Sequence, residues 1–266
     1  MGSANRTMNT SLLGKRALVC GASEGIGRAT AFALADQGAS VVAVARSEVR
    51  LSQLLDELPG KDHGFIAVDL NHHNEVRERI EKNLREVGPL TILVNNSAGP
   101  KGGPIHEAKL DEFAAAFHQH LLTNQLLTQL LLPGMKTEGF GRIINVISTS
   151  VRVPIPGLGV SNTVRAAVAS WAKTLSQEVA AHGITVNSIL PGFTKTGRLD
   201  SLLSQAATRT GKTVSEVADE WKAMIPARRF AEPEEVAGVI AFFASPAAGY
   251  VSGTTLAVDG GRTPAL

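Results

Sequence analysis

The stretch RALVCGASEGIGRATAFALADQG, residues 16–38, decides how the rest of the chain is read. RALVC (16–20) is a short β-branched and apolar run that predicts a strand covered on both faces. It passes without a linker into three glycines, Gly21, Gly25 and Gly27, and then into a helical pattern carried by Ala29, Phe32 and Ala33 and closed by Gly38. Glycines at this spacing permit a tight turn and close backbone approach to a pyrophosphate. The helix N-terminus adds N–H groups and the positive end of its dipole. A glycine triplet alone also serves as a structural turn; between a first strand and a first helix it points to dinucleotide binding. The contacts expected from this turn are Gly21, Ser23, Glu24, Gly25, Ile26 and Gly27.

Outward from that unit, the pattern continues as alternation. Further strands are predicted over 40–45, 64–69, 90–95, 141–148, 184–190 and 254–259. Helical patterns fall between them over 75–88, a long apolar 110–132, 161–183 and 232–245. Seven strands with crossovers make one doubly wound, Rossmann-type parallel sheet with helices on both faces, a single α/β domain over 14–266. An insertion over about 193–228 breaks the alternation and predicts two small helices lying over a site as a lid.

Composition narrows the classes. The chain has 266 residues, 44% hydrophobic and 19% charged, enough apolar content for a sizeable core. A formal charge of +2 is too even for a nucleic-acid footprint. No apolar stretch reaches the length of a membrane span, and the single cysteine, Cys20, excludes an internal disulfide or a multi-cysteine metal site. No metal site is expected, and His72 and His73 read as surface. Residues 1–13 read as a flexible tail without a signal-peptide apolar region, and the compartment as reducing cytoplasm.

From Gly14 to Gly261 the chain resembles the short-chain dehydrogenase/reductase family, and within it the 3-oxoacyl-(acyl-carrier-protein) reductases. The resemblance rests on the Gly-x-x-x-Gly-x-Gly turn (21–27), NNSAG (95–99), Asp69 after the third strand, VNSILPGFTKT (186–196) and the segment 225–261. It implies cofactor contacts from Asp69, Leu70, Asn95 and Ser97, and a nicotinamide loop with Ile189, Pro191, Gly192, Thr194 and Thr196. It also implies a homotetramer formed through 161–183 and 232–261.

The second strand ends Ala43-Val44-Ala45 and is followed by Arg46. No carboxylate stands there to hold ribose hydroxyls, and a guanidinium can grip a 2′-phosphate, so NADP(H) is favoured over NAD(H). Arg28 is placed to assist, whereas Glu24 argues the other way.

The family's catalytic set, an Asn, Ser, Tyr and Lys, is altered. Ser148 ends the fifth strand at the serine position, but Ser161 stands thirteen residues on where tyrosine belongs, and Arg165 stands in place of lysine. His120 falls on the asparagine. Tyr250 is the only tyrosine and is followed four residues later by Thr254, so no Tyr-x-x-x-Lys occurs anywhere. An aliphatic hydroxyl is a far weaker acid than a phenol. Arg165 still donates to ribose hydroxyls. His120 is a candidate replacement acid/base, or else a helix histidine with a satisfied hydrogen bond; His118 and His106 are weaker candidates.

Two readings follow. One is an NADP(H)-dependent oxidoreductase with a rebuilt proton relay, acting on a carbonyl, alcohol or activated alkene, 3-oxoacyl thioesters among them. The other is a catalytically impaired nucleotide-binding relative with a sensing or scaffolding role, or a non-redox lyase or isomerase on the same fold. The lid offers Leu199, Leu202, Leu203, Met224 and Ile225 beside Lys195, Arg198 and Arg209, a mixture suited to an apolar small molecule with an acidic handle. The same residues also suit a helix pair packing its own core.

Overall fold

The structure, a computed structural model, describes residues 8–265. Residues 1–7 of the expected tail lie outside the described residues. Further on, Asn9 O accepts from the Ala247 N–H and Leu12 is fully buried.

Seven strands form one parallel sheet: β1 (Arg16–Cys20), β2 (Ser40–Ala45), β3 (Gly64–Ala67), β4 (Ile92–Asn95), β5 (Gly141–Val146), β6 (Ile184–Pro191) and β7 (Thr255–Val258). Their order is β3-β2-β1-β4-β5-β6-β7, the doubly wound Rossmann-type arrangement read from the sequence. The continuous apolar runs are explained by burial on both faces. Ala17 and Val19 of β1 join a core under α1 (Gly25–Asp36) and α9 (Pro233–Ala244). Leu18 and Cys20 join a core on the opposite face, under α3 (His73–Val87), α5 (Thr123–Thr137) and α6 (Gly159–Val179). Burial pushes the Cys20 thiol up to about 12, so it stays protonated and inert.

Two features depart from the sequence reading. A helix not read from the sequence, α2 (Glu48–Glu57), starts at Ser47, whose hydroxyl accepts from the Arg50 N–H at 3.4 Å. The long apolar segment is not one regular helix. It runs as α4 (Leu110–Phe117), a π turn over His118–Leu122 and then α5, which also absorbs Pro133. The apolar period continues through the join, so hydropathy does not reveal the extra residue that a π turn inserts.

The insertion after β6 forms the two expected helices, α7 (Gly197–Thr210) and α8 (Val214–Ala223). Leu203, Ala206, Ala207, Val217, Ile225 and Phe230 pack a small core of their own, capped by Phe193 stacked on Trp221 at 4.7 Å. No helix among the described residues is long and apolar enough to cross a membrane, and no metal-binding cluster occurs among them.

Candidate active site

Strand order reverses between β1 and β4, and a cleft of about 870 Å³ opens there beyond the carboxyl ends of the strands. The β1–α1 turn forms one wall through Gly21, Ser23, Glu24, Gly25 and Ile26. Gly21 and Gly25 have φ of +62° and +55°. A Cβ at Gly25 would lie 2.9 Å from Thr196 Cγ2, and one at Gly27 would lie 2.1 Å from the Gly21 carbonyl oxygen. The Gly25 side of the turn therefore keeps open a channel bounded by Thr196. Gly27 lies behind the cleft wall; its absent side chain lets the helix sit on the turn. No side chain caps the α1 N-terminus, so its N–H groups remain free for a pyrophosphate. A dinucleotide fits this cradle.

At the β2–β3 end the cleft is lined by Arg46, Ser47, Arg50, Asp69, Leu70 and Asn71. Ala45 is buried, and the exposed Arg46 has no carboxylate partner among the described residues. Glu24 accepts from Arg50 Nη1 at 2.7 Å, so its charge is matched within the wall. Both side chains are exposed, and such a pair is weak enough to exchange partners. Arg28 is engaged with Glu57 at 2.7 Å and does not line the cleft, contrary to the assistance expected of it. Asp69 is held below its ordinary pKa, chiefly by the Asn71 N–H that it accepts.

At the other end, Ser148, Ser161 and Arg165 come together as lining residues. Ser148 Oγ accepts from the Ser150 N–H at 3.1 Å, which leaves its own hydroxyl proton free to donate. Ser161 and Arg165 stand one turn apart on α6, both buried. The Arg165 guanidinium donates to Val146 O at 2.8 Å and to Ser97 O at 3.3 Å. Burial and then the neighbouring Arg198 lower its pKa to about 10, so it remains charged at neutral pH.

His120 lies in the π turn behind this wall rather than in it. Its Nδ1 is 2.7 Å from Ser97 Oγ, its Nε2 has no partner, and the ring is 2% exposed. Burial, with Arg165 nearby, pushes its pKa down to about 2. Burial thus favours the neutral ring, and the side chain sits behind the wall that Ser148, Ser161 and Arg165 line rather than among them. His118 points elsewhere, stacking on His73 with ring centroids 3.8 Å apart. His73 is therefore not the bare surface residue expected, since its Nε2 also meets Thr123 Oγ1 at 2.9 Å. His72 and His106 are exposed.

Asn95 is a second correction. It is 4% exposed and donates to Asn145 at 2.9 Å inside the sheet; Asn96, one residue on, lines the cleft and donates to Cys20 O. Strand alternation turns neighbouring side chains to opposite faces, so a one-residue slip exchanges a core residue for a site residue. Ile189, fully buried in β6, also does not line the cleft, whereas Ser97, Pro191, Gly192, Thr194 and Thr196 do. From the lid, Leu199, Leu202 and Arg198 face the cleft; Lys195 pairs with Glu232, Met224 is exposed and Arg209 lies outside it. Sequence reasoning missed Arg50 because α2 itself went unread, and missed Arg262, which packs over Phe193 at 4.5 Å.

A Rossmann-type sheet with a dinucleotide cradle and a hydroxyl-lined inner pocket defines a nucleotide-dependent redox class. The chain belongs to the short-chain dehydrogenase/reductase family of NAD(P)-dependent reductases: the family model described as enoyl-(acyl carrier protein) reductase matches residues 21–263. The 3-oxoacyl-(acyl-carrier-protein) reductase of Vibrio cholerae is 34% identical over 250 residues, spanning 94% of this chain and 98% of that protein. The L-xylulose reductase of Mesocricetus auratus is 34% identical over 255 residues, 96% of this chain and 98% of that one. The crystal structure of L-sorbose reductase from Gluconobacter frateurii, complexed with NADPH and L-sorbose, superposes with a TM-score of 0.91 at 31% identity, covering 97% of this chain and 100% of that one.

Proposed function

We propose that the protein is an NADP(H)-dependent oxidoreductase with an atypical active site, acting on a carbonyl, alcohol or activated alkene. The observation that carries the cofactor choice is Arg46, exposed at the cleft edge beside the short, uncharged Ala45 and free of any carboxylate partner among the described residues. The L-sorbose reductase to which the fold is similar is complexed with NADPH. Arg46, with Arg50 released from Glu24, would hold the 2′-phosphate; Gly21, Gly25 and the α1 N-terminus would hold the pyrophosphate; Asp69 and Leu70 would lie against the adenine. When bound, the nicotinamide supplies or accepts the hydride.

The protein's own residues do the rest. Ser148 donates a hydrogen bond from its hydroxyl to the substrate oxygen and so polarises the carbonyl, keeping its own proton. Arg165 donates to the nicotinamide ribose and places a fixed positive charge beside Ser161, which stabilises a developing oxyanion or enolate. The transferred proton comes from water held between Ser148 and Ser161, because His120 is neutral and lies behind the wall. His120 positions Ser97 instead. Assembly as a closed homotetramer through α6 and the 232–261 segment belongs to the same reading.

One observation favours the second reading, an impaired nucleotide-binding relative. None of the inner-pocket side chains Ser148, Ser161 and Arg165 titrates near neutrality, and His120 behind them is neutral. Cofactor oxidation across a panel of ketones, 3-oxoacyl thioesters and enones separates the two. Turnover supports the oxidoreductase; NADPH binding with no turnover on any member of the panel overturns it in favour of the second reading.

A further inference from the structure

Arg165 and Arg198 reach one point of the cleft wall from two different elements. A Cβ added at Gly99 would stand 3.6 Å from Arg198 Nη2 and 3.9 Å from Arg165 Nη2. Arg165 belongs to α6 under the pocket, and Arg198 to the first turn of the lid helix α7. Among the described residues neither guanidinium pairs with a carboxylate. Arg165 uses two N–H groups on the carbonyls of Val146 and Ser97, and Arg198 one on Pro100 O at 3.0 Å. A guanidinium carries five N–H donors, so most of them remain for a ligand.

The surroundings sharpen the requirement. The acids that line the cleft, Glu24 and Asp69, both stand on its β1–β3 side, and none lines the end occupied by Arg165 and Arg198. Two like charges this close repel, and the buried one has only carbonyl dipoles as partners. A carboxylate placed between them removes the repulsion and offers two oxygens to two planar donors. Beside it, Ile155, Leu158, Leu199 and Leu202 give the same end an apolar wall.

We propose that the substrate is an oxo or enoic carboxylic acid with an apolar body, its carboxylate held between Arg165 and Arg198 and its reducible group in the half of the cleft lined by Ser148 and Ser161. This rests on the oxidoreductase reading above. Arg198 thereby acts as a specificity residue that arrives with the lid.

The test compares 2-oxo, 3-oxo and 2-enoic acids, phenylpyruvate among them, with their methyl esters, using NADPH and the full chain. The acids are expected to exceed their esters in kcat/KM by roughly 10- to 100-fold, the range for one charge-assisted contact. Arg198→Gln should raise KM for acids about tenfold or more and leave the acid and ester nearly equal, with Arg198→Lys recovering part of the preference. Esters turned over as well as acids, or acid kinetics indifferent to Arg198→Gln, would overturn the proposal. If nothing on the panel oxidises NADPH, calorimetric binding of phenylpyruvate to the NADPH-saturated protein decides it. Binding weakened by Arg198→Gln upholds the anion site while the oxidoreductase reading fails; no binding overturns the site as well.

Discussion

Ser97 Oγ and His120 Nδ1 lie 2.7 Å apart, joining a residue of the cleft wall to an imidazole in the π turn behind it. The contact gives a buried histidine a structural task, whatever its part in the chemistry. Its ring is sealed from water and faces a buried guanidinium, so the charged form is disfavoured twice. What remains is a neutral side chain that holds the Ser97 hydroxyl in place.

That neutrality has a signature in stability. The unfolded chain takes up a proton on this imidazole below its ordinary value of 6.5, whereas the folded protein resists it down to about 2. The contribution is fully present above pH 6.5 and is lost as pH falls through that window. His120→Asn should therefore flatten the stability curve between pH 7 and pH 4 by up to about 1.4 kcal/mol per pH unit relative to the unmodified protein. Urea midpoints across that range check it. Parallel curves would show that the ring titrates normally.

Cofactor choice rests on Ala45 and Arg46. NADPH should bind more tightly than NADH, by roughly 10- to 100-fold for one charge-assisted phosphate contact. Ala45→Asp together with Arg46→Ala should reverse the order. Fluorescence titrations that coincide for the two cofactors in the unmodified protein would remove the assignment.

Ser161 and Arg165 are separated by one helical turn and share one wall of the pocket. Under the proposed mechanism, Ser161→Tyr together with Arg165→Lys, the pair that the family resemblance implies, would fill space given to substrate and water and replace a planar fork of donors by a point charge. Turnover of the native substrate should fall by about 100-fold, the scale for a misplaced reacting group. A gain in that turnover would mean the site had merely decayed.

Gly27→Ala tests the cradle. The new methyl carbon would meet the Gly21 carbonyl oxygen at 2.1 Å, and neither backbone can retreat without opening the turn. Stability should drop by about 1–3 kcal/mol, and NADPH affinity should fall with it. An unchanged urea midpoint and an unchanged titration curve would show that the turn has slack.

For the assembly, light scattering at micromolar concentration should return the mass of four chains. A monomeric mass would exclude the tetramer.

Much of the architecture was written in the order of residues. After their leading Arg16 and Ser40, runs such as RALVC and SVVAVA are apolar at every position because each strand is covered on both faces. Gly21, Gly25 and Gly27 announce the turn because a Cβ at Gly21 or Gly27 would strike neighbouring backbone and one at Gly25 would strike the Thr196 side chain. That no Tyr-x-x-x-Lys occurs in the chain was likewise plain from counting. Other features needed three dimensions. Whether Asn95 or Asn96 faces the cleft depends on where β4 ends, a one-residue matter that composition does not encode. The π turn left the hydrophobic period intact, so the fate of His120 was hidden until its burial and its neighbour Arg165 were known. The approach of Arg165 and Arg198, thirty-three positions apart, to the same point beside Gly99 was decided by where α6 and α7 are placed around that loop. Local sequence specifies which face a side chain prefers. Which charges then stand together, and how much water they keep, follows only from the packing of elements that are distant along the chain.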